Sequence, residues 1–520
     1  MSTSLPHIIF STSPTIADFL TRGYFHDRVV PPLTSESLLS AVSDICSYID
    51  PIVIKAESSR FKLTIPRSKP VHHSVPKRKH LRRILSIPNP LPHSILSKQI
   101  VGGWNDLEAI YFLSPIALST PTISQKRATE ALFSRNDEAF LRARRSVGYR
   151  YLLTTDLVRF YPSIYTHSLP WALHTKATAR ADTHNTLIGN RLDVCTREAQ
   201  DKQTGGIPIG PDTSFVLGEL ISSAMDASIE AALGNIPLVG TRFIDDYSLY
   251  FESRGDAEKG IAAIHGVARS FELEINDTKT EITELPERLE PIWKSHLRGM
   301  QLDNSDSSVY ALFDKAAEFA PLYPFDSVYT YVAKKLLDQT LSLQTWSICE
   351  PLLMRATLAE PGLLPVLLEL LNLHGLLDQN GLGKTLEALC RYHAPLQQGY
   401  EVAWSLWLCA HFGLAVSNET AELVVQMDDD LVALVALDLR DRGLLAASQY
   451  SLWESRMTAE NLYSEHWLLA YEALVKGWLP SLTGLNYVST DSFFSILEGH
   501  GVGFYDPNIS GGHFASIYDV

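Results

Sequence analysis

The sequence predicts an α+β domain followed by an all-α helical domain. Two observations about pattern carry that expectation. From residue 61 to about 290 strand-like and helix-like stretches alternate. From about 291 onward the chain is Leu- and Ala-rich at helical spacing, with short Gly, Pro and Asn breaks between apolar runs such as EPLLMRATLAEPGLLPVLLELLNL and EVAWSLWLCAHFGLAV. A third observation concerns chemistry: two β-prone segments end on aspartates. The divisions fall at 1–60, 61–290 and 291–520.

Length and composition agree with two or three domains: 520 residues, 45% hydrophobic and 20% charged, describe a soluble globular chain with ample core. Cys46, Cys195, Cys349, Cys390 and Cys409 lack the spacing of a zinc site or a disulfide framework and read as reduced thiols. The N-terminus shows no secretion signal and no apolar run of membrane-spanning length is expected, so a cytoplasmic location without membrane association is expected. Net charge is -15, which alone argues against a nucleic-acid binder. Its distribution argues otherwise. Residues 61–100 hold Lys62, Arg67, Lys69, Lys77, Arg78, Lys79, Arg82, Arg83 and Lys98 and no Asp or Glu, and their apolar and proline neighbours predict a folded basic surface suited to phosphates.

Taken in order, the elements begin with a helix near Ser35–Tyr48. Arg150–Asp156 (RYLLTTD) reads as a strand ending on a carboxylate, with Phe160, Tyr161 and Ser163 directly after. Gly205, Gly206, Pro208, Ile209, Gly210 and Pro211 form a compact turn that lets backbone approach a nucleotide, and a helix with Ser214 near its start follows. Val239–Phe251 (VGTRFIDDYSLYF) reads as strand, acidic turn, strand. Apolar residues at 257, 261, 264, 267, 268 and 271 predict an amphipathic helix, and LEINDTKTEI a polar turn entering a strand. The later helices suggest stacked pairs of a solenoid, without a strict repeat. The aromatic, Gly-rich tail is expected to pack back onto the body.

Adjacent aspartates between apolar arms repel one another, and desolvation raises their pKa. Divalent cations between them reverse that penalty. Asp156, Asp245 and Asp246 therefore form a candidate site for two Mg²⁺ ions, with Mn²⁺ as an alternative, and magnesium's preference for a few carboxylates plus substrate phosphates makes three aspartates sufficient. Asp428, Asp429 and Asp430 are a longer acidic run without flanking strands and read as a solvated surface. Gly381–Thr385 (GLGKT) lacks the glycine that a phosphate loop needs at 378, where Asp378 stands, and reads as a turn opening a helix. His72 and His73 have no partner at ligand spacing.

These residues resemble the reverse-transcriptase superfamily. DLVRFY at 156–161 is similar to its first metal motif, GIPIGPDTS at 206–214 to its G-x-P-Q-G-x-x-x-S turn, FIDD at 243–246 to the Y-x-D-D hairpin, LEINDTKT at 273–280 to L-x-L-N-x-x-K-T, and Arg83–Pro88 (RILSIP) to the fingers motif R-x-L-x-I-P. The resemblance implies a ferredoxin-like palm with fingers at 61–290, to which 1–60 contributes, and a HEAT-like helical repeat at 291–520. It implies an RNA-directed DNA polymerase-like nucleotidyltransferase in which Asp156, Asp245 and Asp246 hold the metals. Arg83, with Lys77 or Lys79, would grip the incoming triphosphate; Tyr161 would exclude a ribose 2′-hydroxyl; Gly206, Pro208 and Gly210 would approach the nucleotide; Lys279 would meet the pyrophosphate and act as general acid.

A narrower resemblance, carried by YTHSLPW at 165–171, RRILSIPNP and the helical C-terminal half, is to the bacterial abortive-infection (Abi) and related phage-defence reverse transcriptases. It implies dNTP substrates, a DNA product, protein-primed and template-independent synthesis, homo-oligomers and a role in antiviral defence. Two departures stand against ordinary primer extension: Ile209 replaces the usual glutamine, and no clear primer-grip motif follows Lys279, PIWKSHLRGM being the nearest. A templated enzyme of another host or mobile-element role, copying an RNA template, and an inactive polymerase-fold scaffold remain the alternatives.

Overall fold

The structure is a computed structural model, and it describes residues 13–57, 62–78, 81–182 and 187–509. Its centre is a four-stranded antiparallel sheet. Strand β5 (Tyr151–Asp156) pairs with β7 (Asp246–Phe251) on one side and β8 (Glu281–Glu284) on the other, and β6 (Gly240–Phe243) forms the far edge beside β7. Along the chain the helix Asp212–Leu233 separates β5 from β6, and the helix Arg254–Ser270 separates β7 from β8. The second helix packs on β5, β7 and β8, and the two helices pack on each other. Leu152, Leu153, Leu249 and Phe251 are buried in this layer. Ser253 starts the second helix by accepting the Asp256 N–H at 3.1 Å.

Ahead of this sheet lies the basic hairpin of β1 (Val71–Arg78) and β2 (Leu81–Ile87), and a short hairpin of β3 (Pro121–Ile123) and β4 (Thr129–Ala131). From Ile292 to Gly499 the described residues are helical with connecting turns. Successive helices there pack on the next and the next but one: Leu343–Ala359 contacts both Leu364–His374 and Gln379–His393, and Gly399–Phe412 contacts both Gln379–His393 and Asp430–Asp441. That adjacency is compatible with stacked helix pairs. Carboxylates tie the turns there. Glu350 accepts the Leu377 N–H at 2.8 Å and the Asp378 N–H at 3.1 Å, and Glu360 accepts the N–H groups of Tyr329 and Thr330, each at 3.0 Å. A mixed α/β part joined to a helical part is compatible with the fold class expected from the sequence.

Three expectations need correction. Asp429 and Asp430 are buried: Asp429 caps the helix Asp430–Asp441 and binds His73 at 2.9 Å, and Asp430 binds His466 at 2.9 Å. Burial is possible because each carboxylate has a histidine and backbone N–H partners, which no local pattern reveals. The basic segment is also less free than its charge suggests, since Arg67, Lys69, Arg82 and Lys98 pair with Asp201, Glu465, Glu401 and Asp50. Finally, Glu36–Ala56 is one helical stretch long and apolar enough to cross a membrane by length and composition, with mean hydropathy 1.4. Leu38, Ala41, Ile45, Ile49, Val53 and Ala56 recur at three- and four-residue steps and form its buried face. The sequence PIWKSHLRGM lies in a helix, Ile292–Gly299, whose Trp293 is buried and donates to Asp326 at 2.6 Å.

Candidate active site

The strand register brings the aspartates together. Asp156 and Asp246 are cross-strand partners at the same end of β5 and β7, which sets their Cα atoms roughly 4.5–5.5 Å apart with side chains on one face. Asp245 lies between Phe243 and Asp246 in the two-residue turn Ile244–Asp245 that closes β6 and β7. Its carboxyl is pushed up to about 6, by burial first and then by the charges of Asp246 and Asp156. Asp156 is 7% exposed, and its Oδ1 is buried without a hydrogen-bond partner among the described residues. A buried carboxylate oxygen with no donor, facing a second carboxyl that resists ionisation, is a poor arrangement for protein alone and a suitable one for a divalent cation. Asp156 Oδ1 and Asp245 are the carboxylate groups here that fit such a cation.

Two cations of the chain compete with a three-aspartate ligand set. Lys279 forms an ion pair with Asp156 Oδ2, and Arg135 donates to Asp246 Oδ2 at 2.7 Å while its guanidinium lies 4.0 Å from the centre of the Phe243 ring. Among the described residues no three His, Cys, Asp or Glu side chains converge as a ready cage. Arg135 engages the Asp246 carboxylate, and among the described residues Asp156 Oδ1 and Asp245 are in no ion pair. Lys279 thus stands on Asp156 itself.

Tyr161 sits in the short helix Phe160–Ser163 that follows β5 across Arg159, which takes a left-handed φ of 46°. Its ring lies against Gly218, where a Cβ would come within 3.2 Å of Cε1. Burial and then the charge of Asp245 raise its hydroxyl well above the usual range, while Arg83 opposes them. Tyr161, Asp245 and Arg83 thus share one electrostatic neighbourhood. The Gly-Pro turn abuts it: the Ile207 N–H donates to the Tyr161 carbonyl at 3.0 Å, and the Gly206 N–H donates to the Ile164 carbonyl at 2.7 Å. Gly206 has φ +81°, and a Cβ there would lie 3.1 Å from the Pro162 carbonyl oxygen, so the turn requires glycine. Pro208 is buried, and the Ser86 N–H of β2 donates to the Ile209 carbonyl at 2.8 Å, joining the turn to the basic hairpin beside Gly210. Lys77 is an exposed residue of that hairpin, and Lys79 lies outside the described residues.

Four contributors escaped the sequence reading. Arg135 reaches Asp246 from 111 residues away. His26 stands beside Gly210, and burial and then the charges of Arg127, Arg28 and Arg83 hold its imidazole well below the usual range. Ser119 and Arg242 hold the backbone of Ile244. The Arg immediately before FIDD's Phe243 is visible in the sequence, but nothing local shows that it turns inward.

No family model matches the sequence, and no curated protein matches it. Matches among solved structures include apo telomerase from Candida tropicalis truncated from its C-terminal domain, at 13% identity and TM-score 0.30, covering 49% of this chain and 56% of that one. Telomerase from Candida albicans in complex with a TWJ fragment of telomeric RNA is matched at 11% identity and TM-score 0.30, covering 75% and 70%. The chain spans little more than half the length of the first of these, and superposition at that level carries no argument about its activity.

Proposed function

We propose that this chain is a nucleotidyltransferase of reverse-transcriptase type that adds dNTPs to a growing DNA strand. The observation that carries the reading is the register of Asp156 with Asp246, which sets Asp245 and the unpartnered Asp156 Oδ1 at one end of the sheet. The strand order β6-β7-β5-β8 with two helices on one face supports a ferredoxin-like palm. Asp156 and Asp245 would hold Mg²⁺ ions, with Asp246 beside them and tied to Arg135. Such ions, when bound, activate an attacking hydroxyl and stabilise charge on the transferred phosphoryl group. The chain's own groups do the rest: Arg83 receives the triphosphate, the Tyr161 ring limits the sugar, and Lys279 keeps positive charge beside Asp156.

Within this reading we place the protein among enzymes of antiphage defence that start DNA on a protein hydroxyl without a template and assemble as homo-oligomers. The motif resemblance and the replacement of the usual glutamine by Ile209, whose carbonyl is engaged by Ser86, support that placement. The test is incubation of the purified protein with Mg²⁺ and labelled dNTPs, with and without an annealed primer–template. Label retained on the polypeptide under denaturing conditions, and lost in Asp245→Ala, is expected. Product only with primer–template would favour a templated enzyme, and none under any condition would favour a scaffold.

A further inference from the structure

Ile244 occupies an unusual position for its side chain. It is β-branched, yet it takes φ +59° as the first residue of the two-residue turn, where glycine is the customary choice. Strain of that kind persists only when the surroundings over-determine it. Here both polar backbone groups of Ile244 are held. Its N–H donates to Ser119 Oγ at 2.7 Å, and its carbonyl accepts from Arg242 Nη1 at 2.9 Å.

The two holders belong to one buried network. Ser119 Oγ donates to Glu219 Oε2 at 2.8 Å, and Arg242 donates to Glu219 Oε1 at 2.6 Å and to Asp226 Oδ2 at 2.7 Å. Ser114 Oγ donates to the same Asp226 oxygen at 2.6 Å. The side chains of Arg242, Glu219 and Asp226 are fully buried. Glu219 and Asp226 come from the Asp212–Leu233 helix, so the network spans that helix, the 114–119 segment and the edge strand β6. A buried cation with two carboxylates is seldom more stable than apolar packing of the same volume. What it adds is direction: with Nε and Nη2 of Arg242 held by the two carboxylates, Nη1 is aimed at one carbonyl, and a hydroxyl is aimed at the N–H of the same residue.

We infer that Arg242 and Ser119 are positioning residues that clamp the Ile244 backbone and thereby aim Asp245 at the cation site. Neither touches a ligand; they act through the turn. The inference rests on the proposed metal-binding role of Asp245 and adds to it the device that fixes that carboxylate.

The test uses the full-length protein and Mn²⁺ alone, titrated with detection of free ion by electron paramagnetic resonance, with Asp245→Asn as reference. Ser119→Ala removes one holder with the least disturbance, and it is expected to weaken Mn²⁺ binding about tenfold while the thermal unfolding midpoint stays close to that of the wild type. Glycine adopts φ +59° without strain, so in an Ile244→Gly background the same Ser119→Ala change is expected to cost less than about twofold. Arg242→Lys, which keeps the charge and loses the fork, is expected to match Ser119→Ala in direction. Unchanged Mn²⁺ affinity in Ser119→Ala would overturn the proposal. So would an equal loss in both backgrounds, because the network would then act through general stability. If Asp245→Asn binds Mn²⁺ as the wild type does, the metal reading itself fails and the clamp loses its purpose.

Discussion

At the scale of single residues, Asp245 carries a cost that a ligand should relieve. Its folded carboxyl titrates near 6 against an ordinary value of 3.8. A raised acid favours the protonated folded state, so this group's contribution is complete below about pH 4 and is lost as pH rises through about 6. A shift of that size corresponds to about 3 kcal/mol at neutral pH. Asp245→Asn is therefore expected to be more stable than the wild type at pH 7 without divalent ions, by up to about 3 kcal/mol, and equal to it near pH 4; urea unfolding at both pH values checks this. Mg²⁺ should narrow the difference by stabilising only the wild type. Tyr161 makes a second residue-scale prediction. Removing the ring that packs on Gly218 opens space beside Asp245, so Tyr161→Ala should raise ribonucleotide incorporation relative to deoxynucleotide by at least about tenfold, read from competition between the two substrates.

Among the elements, the β6–β7 hairpin depends on a close approach. A Cβ on Gly240, whose φ is +154°, would lie 2.2 Å from the Ser248 carbonyl oxygen of the paired strand. Gly240→Ala is expected to destabilise the protein by about 3 kcal/mol or more, measured by chemical unfolding, because neither backbone can yield without breaking the ladder. The helix Arg135–Arg145 has no buried residue and is held to this edge by its arginines, with Arg145 Nη1 on the Gly240 carbonyl at 2.5 Å and Arg135 on Asp246. The hairpin was legible because its side chains carry local information: apolar arms of β period, then two acids at the tip. Its bracing was not legible. Arg135, Ser119 and Glu219 come from other elements, and their pairing depends on how those elements dock.

The whole molecule is closed by contacts between distant stretches of chain. Arg82 of β2 donates to Glu401 Oε2 at 2.7 Å, Trp404 donates to the Arg28 carbonyl at 3.0 Å, and Trp467 donates to the Ile87 carbonyl at 3.2 Å. Leu33 and Tyr505 form an antiparallel bridge, and Glu472, fully enclosed, accepts the N–H groups of Phe504 and Tyr505. The helical part therefore covers the basic hairpin and the N-terminal segment. Glu401→Ala, which strands a mostly buried Arg82, should cost about 3–5 kcal/mol in urea unfolding. A fragment ending at residue 290 exposes the faces that Trp404 and Trp467 cover and is expected to lack the sharp unfolding transition of the full chain, as near-ultraviolet circular dichroism would report.

By itself the sequence determined the local patterns: where strand period gives way to helix period, which turns need glycine, and which carboxylates sit at strand ends. Those are properties of neighbouring residues, and steric and hydrophobic periodicity write them into the chain directly. Tertiary structure alone decided which charges are paired. It buried Asp429 and Asp430, placed Arg135 on Asp246 and Lys279 on Asp156, and left one oxygen of Asp156 without a donor. A charge is exposed or buried, opposed or alone, according to what distant segments bring beside it, and burial in low dielectric then fixes how much that matters.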